Sequence, residues 1–103
     1  MSSIEFAWRL GDKAMFTASE GLDENGMMAF FDLLAGLDGI ADVYLDLSNL
    51  HVLSPIAGKV ILDRYPGLAD QGKRLYFCRP GDTMKIVMKL LGVNHVVPIV
   101  SGM

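Results

Sequence analysis

The stretch from Val43 to Leu62 constrains the fold more than any other part of the chain. Val43-Tyr44-Leu45-Asp46-Leu47 joins β-branched, aromatic and aliphatic residues in a run short enough for a buried strand. A helix then starts at Ser54-Pro55. A serine oxygen there can accept an orphan N–H of the first turn, and proline lacks the N–H that would go unpaired. Ala57, Val60, Ile61 and Arg64 follow at helical spacing, with Ile56 and Leu62 on the flanks. Between strand and helix, the side chains of Ser48 and Asn49 compete for backbone hydrogen bonds, so residues 48–54 read as a polar loop. What precedes and follows this unit must cover both its faces.

Upstream, Ile4, Phe6 and Trp8 alternate as in a half-exposed strand over residues 3–9, and Gly11-Asp12 turns the chain into a returning arm over 13–19. Asp23 is placed to cap a helix over 23–37, in which Met27, Phe30, Phe31, Leu34 and Leu37 recur at helical spacing while Met28 and Leu33 fall off the stripe. Leu37-Asp38-Gly39 ends this helix, and the central strand covers 41–47. Pro66 and Gly67 end or kink the second helix, giving it a body over 55–65, and Gly72 caps any further turn. A strand over 74–79 follows. Asp82 then caps a third helix over 83–91, stopped at Gly92. Pro98 confines the last strand, 96–100, to a sheet edge. The order β, β, α, β, α, β, α, β predicts one α/β domain over residues 1–103. Its mixed, mostly parallel five-stranded sheet has an N-terminal hairpin and is covered by three to four helices. Function in such sheets collects at the carboxyl ends of the parallel strands, which is the segment 48–54.

Chemistry is hard to find in the remaining residues. The glycines match neither a phosphate loop nor a dinucleotide fingerprint, and His51 and His95 have no second ligand at diagnostic spacing, so neither metal nor cofactor is expected. Asp46 in the strand is expected at a solvated strand end or accepting nearby N–H groups. A Ser54, His51, Asp46 set can be written down, but the nucleophile-elbow pattern is absent, and no enzymatic activity is expected. Cys78, the single cysteine, sits in an apolar run and reads as a buried structural thiol. No apolar run nears the roughly 20 residues of a membrane span, and the N-terminus shows no basic head before an apolar stretch. A cytoplasmic location without membrane insertion is therefore expected. Dispersed basic residues and a pI of about 5.1 argue against nucleic acid. Charge is nonetheless lopsided. Residues 1–50 carry nine acids against Arg9 and Lys13, a balance of −7, whereas the second half carries seven bases against three acids, a balance of +4. That split either steers a charged partner or draws the two halves together.

The run from Val43 to Leu53, the helix after it, Gln71-Gly72-Lys73-Arg74-Leu75-Tyr76-Phe77 and Met88-Lys89-Leu90-Leu91-Gly92-Val93 together resemble a STAS domain, the fold of bacterial anti-sigma factor antagonists. The Phe16 to Leu37 stretch, with its Glu20-Gly21-Leu22-Asp23 turn, fits as well, so the resemblance covers nearly the whole chain. It implies a small non-enzymatic binding module that docks on an anti-sigma factor with serine kinase activity. That kinase would phosphorylate a serine opening the second helix, within Asp-Ser-Ser-Gly or Asp-Ser/Thr-x-Gly. This chain has Ser54-Pro55-Ile56-Ala57. Aligned without a gap, Ser54 takes the acidic position and Pro55 the phosphoacceptor position, so the resemblance implies docking without the usual switch. Ser54 itself is the one residue there that could carry a phosphate. The expected docking surface comprises Ser48, Asn49, His51, Ser54, Pro55, Ile56, Lys59 and Asp63. The expected partner is an anti-sigma or serine-kinase-like protein. The alternative is the ATPase of a membrane transporter, such as a lipid-transport system, with this chain as its soluble accessory subunit.

Overall fold

The computed structural model describes residues 3–101. β1 (Ile4–Leu10) and β2 (Lys13–Leu22) form an antiparallel hairpin closed at Gly11, whose φ of 61° suits a residue without Cβ. α1 (Glu24–Ala35) follows, capped by the Asp23 carboxylate, which accepts the Gly26 N–H at 2.8 Å. Next come β3 (Asp42–Leu53), α2 (Pro55–Asp70), β4 (Arg74–Cys78), α3 (Asp82–Leu90), a 3-10 turn over Val93–His95, and β5 (Ile99–Val100). The strands lie in the order β1-β2-β3-β4-β5, with β1 antiparallel to β2 and all other pairs parallel. This is the expected mixed α/β architecture.

Each parallel crossover steps to the next strand in the same direction, so right-handed connections place α1, α2 and α3 on one face. The core lies there. Ala14, Phe16, Ala18, Val43, Leu45, Leu47, Leu75 and Phe77 cluster with Met27, Phe30, Phe31, Leu34, Ile61, Met84 and Met88. Side chains of the opposite parity belong to the other face. Trp8, Met15, Tyr44 and Tyr76 form one cross-strand row there, since Trp8 pairs with Met15, Met15 with Tyr44 and Tyr44 with Tyr76. The two tyrosine rings stack with centroids 5.1 Å apart, so these residues shelter one another.

Five expectations need correction. The last strand is Ile99–Val100 and not 96–100, because a 3-10 turn takes Val93–His95 and Pro98 precedes the strand. Residues 48–53 are strand and not loop, because Asn49, Leu50, Val52 and Leu53 pair with Ser19, Glu20, Gly21 and Leu22 of a β2 that runs three residues past Ser19. The ladder outcompetes the local hydrogen bonding of Ser48 and Asn49, and two register shifts, each with one extra residue in β3, fit it to β2 on either side of Ser19 and Glu20, the latter with φ 62°. α2 continues through Pro66 to Asp70 and is not limited to 55–65, anchored beyond the proline by buried Leu68. Gly81 is the N-cap of α3, and Asp82 lies inside the first turn without capping it. The buried residues of α2 are Ala57, Gly58, Ile61 and Leu68, with Val60 only partly covered. Gly58 marks a close approach, since a Cβ there would sit 2.8 Å from Leu91 Cδ1.

Part of the charge split is internal. Arg64 pairs with Asp32 at 2.8 Å and Arg74 with Asp42 at 3.9 Å, each joining the basic second half to the acidic first. Arg64 also lies over the Phe31 ring, which ties α2 to α1. The register of α2 makes a prediction that urea unfolding can check. Ile61→Ala should lower stability by about 2–4 kcal/mol, and Val60→Ala by clearly less. Equal losses would contradict this register.

Candidate protein-docking site

β4 stops pairing with β3 at the Asp46 and Cys78 pair, yet β3 continues to Leu53 alongside β2. The result is a two-stranded ribbon projecting past the rest of the sheet. Its two exits are clamped together, because the Ser54 N–H donates to the Leu22 carbonyl at 3.0 Å. From those exits the chain enters α1 through Asp23 and α2 through Ser54. Ser54 Oγ accepts the Ala57 N–H at 3.1 Å, its carbonyl accepts the Gly58 N–H at 3.0 Å, and Pro55 occupies the first turn. The helix start read from the sequence is therefore the one observed.

Leu47, Leu50 and Leu53 are buried, while Ser48, Asn49, His51 and Val52 face outward. Val52 and Ile56, on either side of Ser54, are 61% and 56% exposed, large values for apolar side chains held on regular elements. Lys59 and Asp63 form an exposed pair at 3.7 Å on α2, a contact of little stability that leaves both groups available. Beside the ribbon lies a cleft of about 440 Å³ lined by Ser3, Glu20, Gly21, Asp23, Asn25, Gly26 and Ala29. Ser48, Asn49 and His51 thus lie along the ribbon from its base, Ser54, Pro55 and Ile56 stand at its exit into α2, and Lys59 and Asp63 follow one and two turns further along α2. Val52 is not among the residues the sequence singles out; its outward position follows from the register of residues 48–53 on β2.

Asp46 holds the base of the ribbon. Its carboxylate accepts the Ser48 N–H at 3.0 Å and the Arg79 guanidinium. Burial opposes its ionisation, but the Ser48 N–H and Arg79 outweigh burial and hold the carboxyl below the usual carboxylate range. Arg79 follows β4 directly in a left-handed conformation, φ 51°, at a position where a non-glycine residue is uncommon. The Ser48 contact matches the expectation for Asp46. The Arg79 contact depends on parallel register across 33 residues and was not visible in the sequence. Asp46 and the Ser54 hydroxyl are each engaged with other groups. Burial also pushes the Cys78 thiol up, with the Asp46 charge adding to the effect. Among the described residues, no group of three or more His, Cys, Asp or Glu could hold a metal ion. No described helix is long and apolar enough to cross a membrane.

No family model matches the sequence, and no curated protein matches it significantly. Solved structures do match. The anti-sigma factor antagonist SpoIIAA in its unphosphorylated form aligns with a TM-score of 0.74 at 11% identity, over 95% of this chain and 88% of its own. An anti-sigma factor antagonist from Mycobacterium paratuberculosis gives 0.73 at 16% identity, over 100% and 92%. A variant of RsbS from Moorella thermoacetica gives 0.72 at 16%, over 99% and 89%. The chain therefore has the STAS fold, the fold of these antagonists.

Two outcomes follow at the junction. Because the Asp46 carboxyl is more acidic in the folded than in the unfolded chain, the unfolded state takes up a proton first as pH falls. The stability that Asp46 contributes is thus complete above about pH 5 and is lost as pH drops through the lowered folded value, below the usual 3.9 or so. Asp46→Asn should cost about 1–3 kcal/mol at neutral pH, and the gap from wild type should close on acidification; a gap constant with pH in denaturant titrations would contradict the pairing. Ser54→Ala should cost about 1 kcal/mol through loss of the cap, and no change would contradict that role.

Proposed function

We propose that this chain is a non-enzymatic docking module of a regulatory, partner-switching complex, and that the ribbon tip and the start of α2 engage an anti-sigma or serine-kinase-like protein. The observation that carries this reading is the outward pair Val52 and Ile56 at the tip. Two large apolar side chains on rigid elements supply anchors at low entropic cost. Ser48, Asn49, His51, Ser54, Pro55, Lys59 and Asp63 supply a polar rim of the kind that surrounds interface anchors. The fold neighbours named as anti-sigma factor antagonists support a protein as the partner.

Control of this surface by phosphate is not part of the proposal. Pro55 has no hydroxyl, and Ser54 Oγ is committed to the Ala57 N–H as a cap. The surface stays competent, and release depends on the partner.

Affinity capture from the native lysate tests the proposal, using wild-type protein and Ile56→Arg in parallel. A serine-kinase-like or anti-sigma protein should be recovered by wild type alone. Recovery of a transporter ATPase would overturn the regulatory reading in favour of an accessory subunit, and equal recovery by Ile56→Arg would overturn the site. With the recovered partner, Lys59→Glu should weaken binding at least severalfold with the melting temperature unchanged. Intact mass of the same sample should show no phosphate; a phosphorylated Ser54 would contradict the switchless reading.

A further inference from the structure

The chain has nine lysines and arginines, and most have a partner or a buried place within the fold, Lys59 only a loose one. Lys13, Lys59, Arg64, Arg74 and Arg79 stand in ion pairs, Arg9 donates to the Gly11 carbonyl, and Lys73 is buried. Among the described residues this leaves Lys85 and Lys89 as exposed cations with neither an ion pair nor a side-chain hydrogen bond. They are four residues apart on α3 and so share one stripe. Asp82, in the first turn of the same helix, is also exposed and forms no ion pair with either. The neighbouring stripe is Ile86 and Leu90, again four apart, at 61% and 80% exposure.

α3 already satisfies the core through Met84 and Met88 on its inner side. A helix serving only as cover would be polar on its outer side, whereas this one is basic and apolar in adjacent stripes. Lys85 also borders a cleft of about 390 Å³ lined by Arg79, Pro80, Ile99, Val100 and Ser101, at the carboxyl ends of β4 and β5. Ile99, on the edge strand, adds a third exposed apolar side chain.

We propose that the outer face of α3, together with the cleft between α3 and β5, is a second docking surface, fitted to an acidic amphipathic helix of a protein partner. Carboxylates four apart on that helix would lie along Lys85 and Lys89, beside the cleft that Ile99 lines, and its apolar side chains would pack on Ile86 and Leu90. Charge complementarity selects this occupant. Two lysines form a local positive stripe on a molecule of net charge −3, so a narrow acidic helix is attracted while a broad anionic membrane also meets the acidic remainder. The surface lies past β4, on elements distinct from the ribbon, and the inference does not depend on what the ribbon binds.

The test is an NMR titration of the isotope-labelled full chain with three probes. These are a synthetic amphipathic helical peptide with glutamates four apart beside leucines, the same peptide with lysines in place of the glutamates, and phosphatidylglycerol vesicles. The acidic peptide alone should shift the amides of Lys85, Ile86, Lys89, Leu90 and Ile99. Its affinity should fall about tenfold or more in the double variant Lys85→Glu, Lys89→Glu, and also in Leu90→Ser, with both variants retaining the wild-type spectrum elsewhere. Ile56→Arg at the ribbon should leave peptide binding unchanged. Absence of shifts with the acidic peptide, equal shifts with the lysine peptide, binding to vesicles alone, or loss of peptide binding in Ile56→Arg would each overturn the proposal.

Discussion

The parallel pairing of β2 with β3 is the constraint on which the rest of the structure depends. It runs from Lys13 and Asp42 at one end to Leu22 and Leu53 at the other, longer than any other pairing in the sheet. β3 is thereby the central strand, with β4 on its other side, and the α1 and α2 crossovers both connect to it. Since each crossover advances the same way, the helices must share a face, and the apolar parity of β2, β3 and β4 is matched to them. Trp8, Met15, Tyr44 and Tyr76 then have to cover the opposite face by leaning on one another.

The same pairing creates the candidate site. Because β4 and β5 end early while β2 and β3 continue, their last residues project as a ribbon with two helix starts at its tip. A loop would hold Val52 and Ile56 in many arrangements, whereas a strand clamped by the Ser54 to Leu22 hydrogen bond holds them in one. Asp46 fixes the ribbon's base by joining β3 to the residue after β4. Buried charge is expensive, and here the cost is offset by one backbone N–H and one guanidinium.

Much of this was legible in the sequence, for physical reasons that differ by residue. Ser54-Pro55 announces a helix start because both residues act within one turn, and Asp23 does the same for α1. The strand and helix order follows from hydrophobic period and turn residues, which are also local. Residues 48–53 look like loop in the sequence because Ser48 and Asn49 have loop-like local preferences, and only the distant β2 partner overrides them. Pro66 locally allows either an end or a kink, and the helix runs on because burial of Leu68 further along α2 outweighs one lost backbone bond. The Arg79 to Asp46 contact, and the exposure of Val52, need register between strands, which no single-sequence pattern encodes.

A rigid ribbon, and not a mobile loop, carries the candidate docking residues. Amide hydrogen exchange of the free chain tests it most directly. The account predicts that amides of residues 49–54 hydrogen-bonded to β2, including that of Ser54, are protected far beyond those of the turn at Asp38 and Gly39. Exchange across 48–54 as fast as in that turn would contradict it.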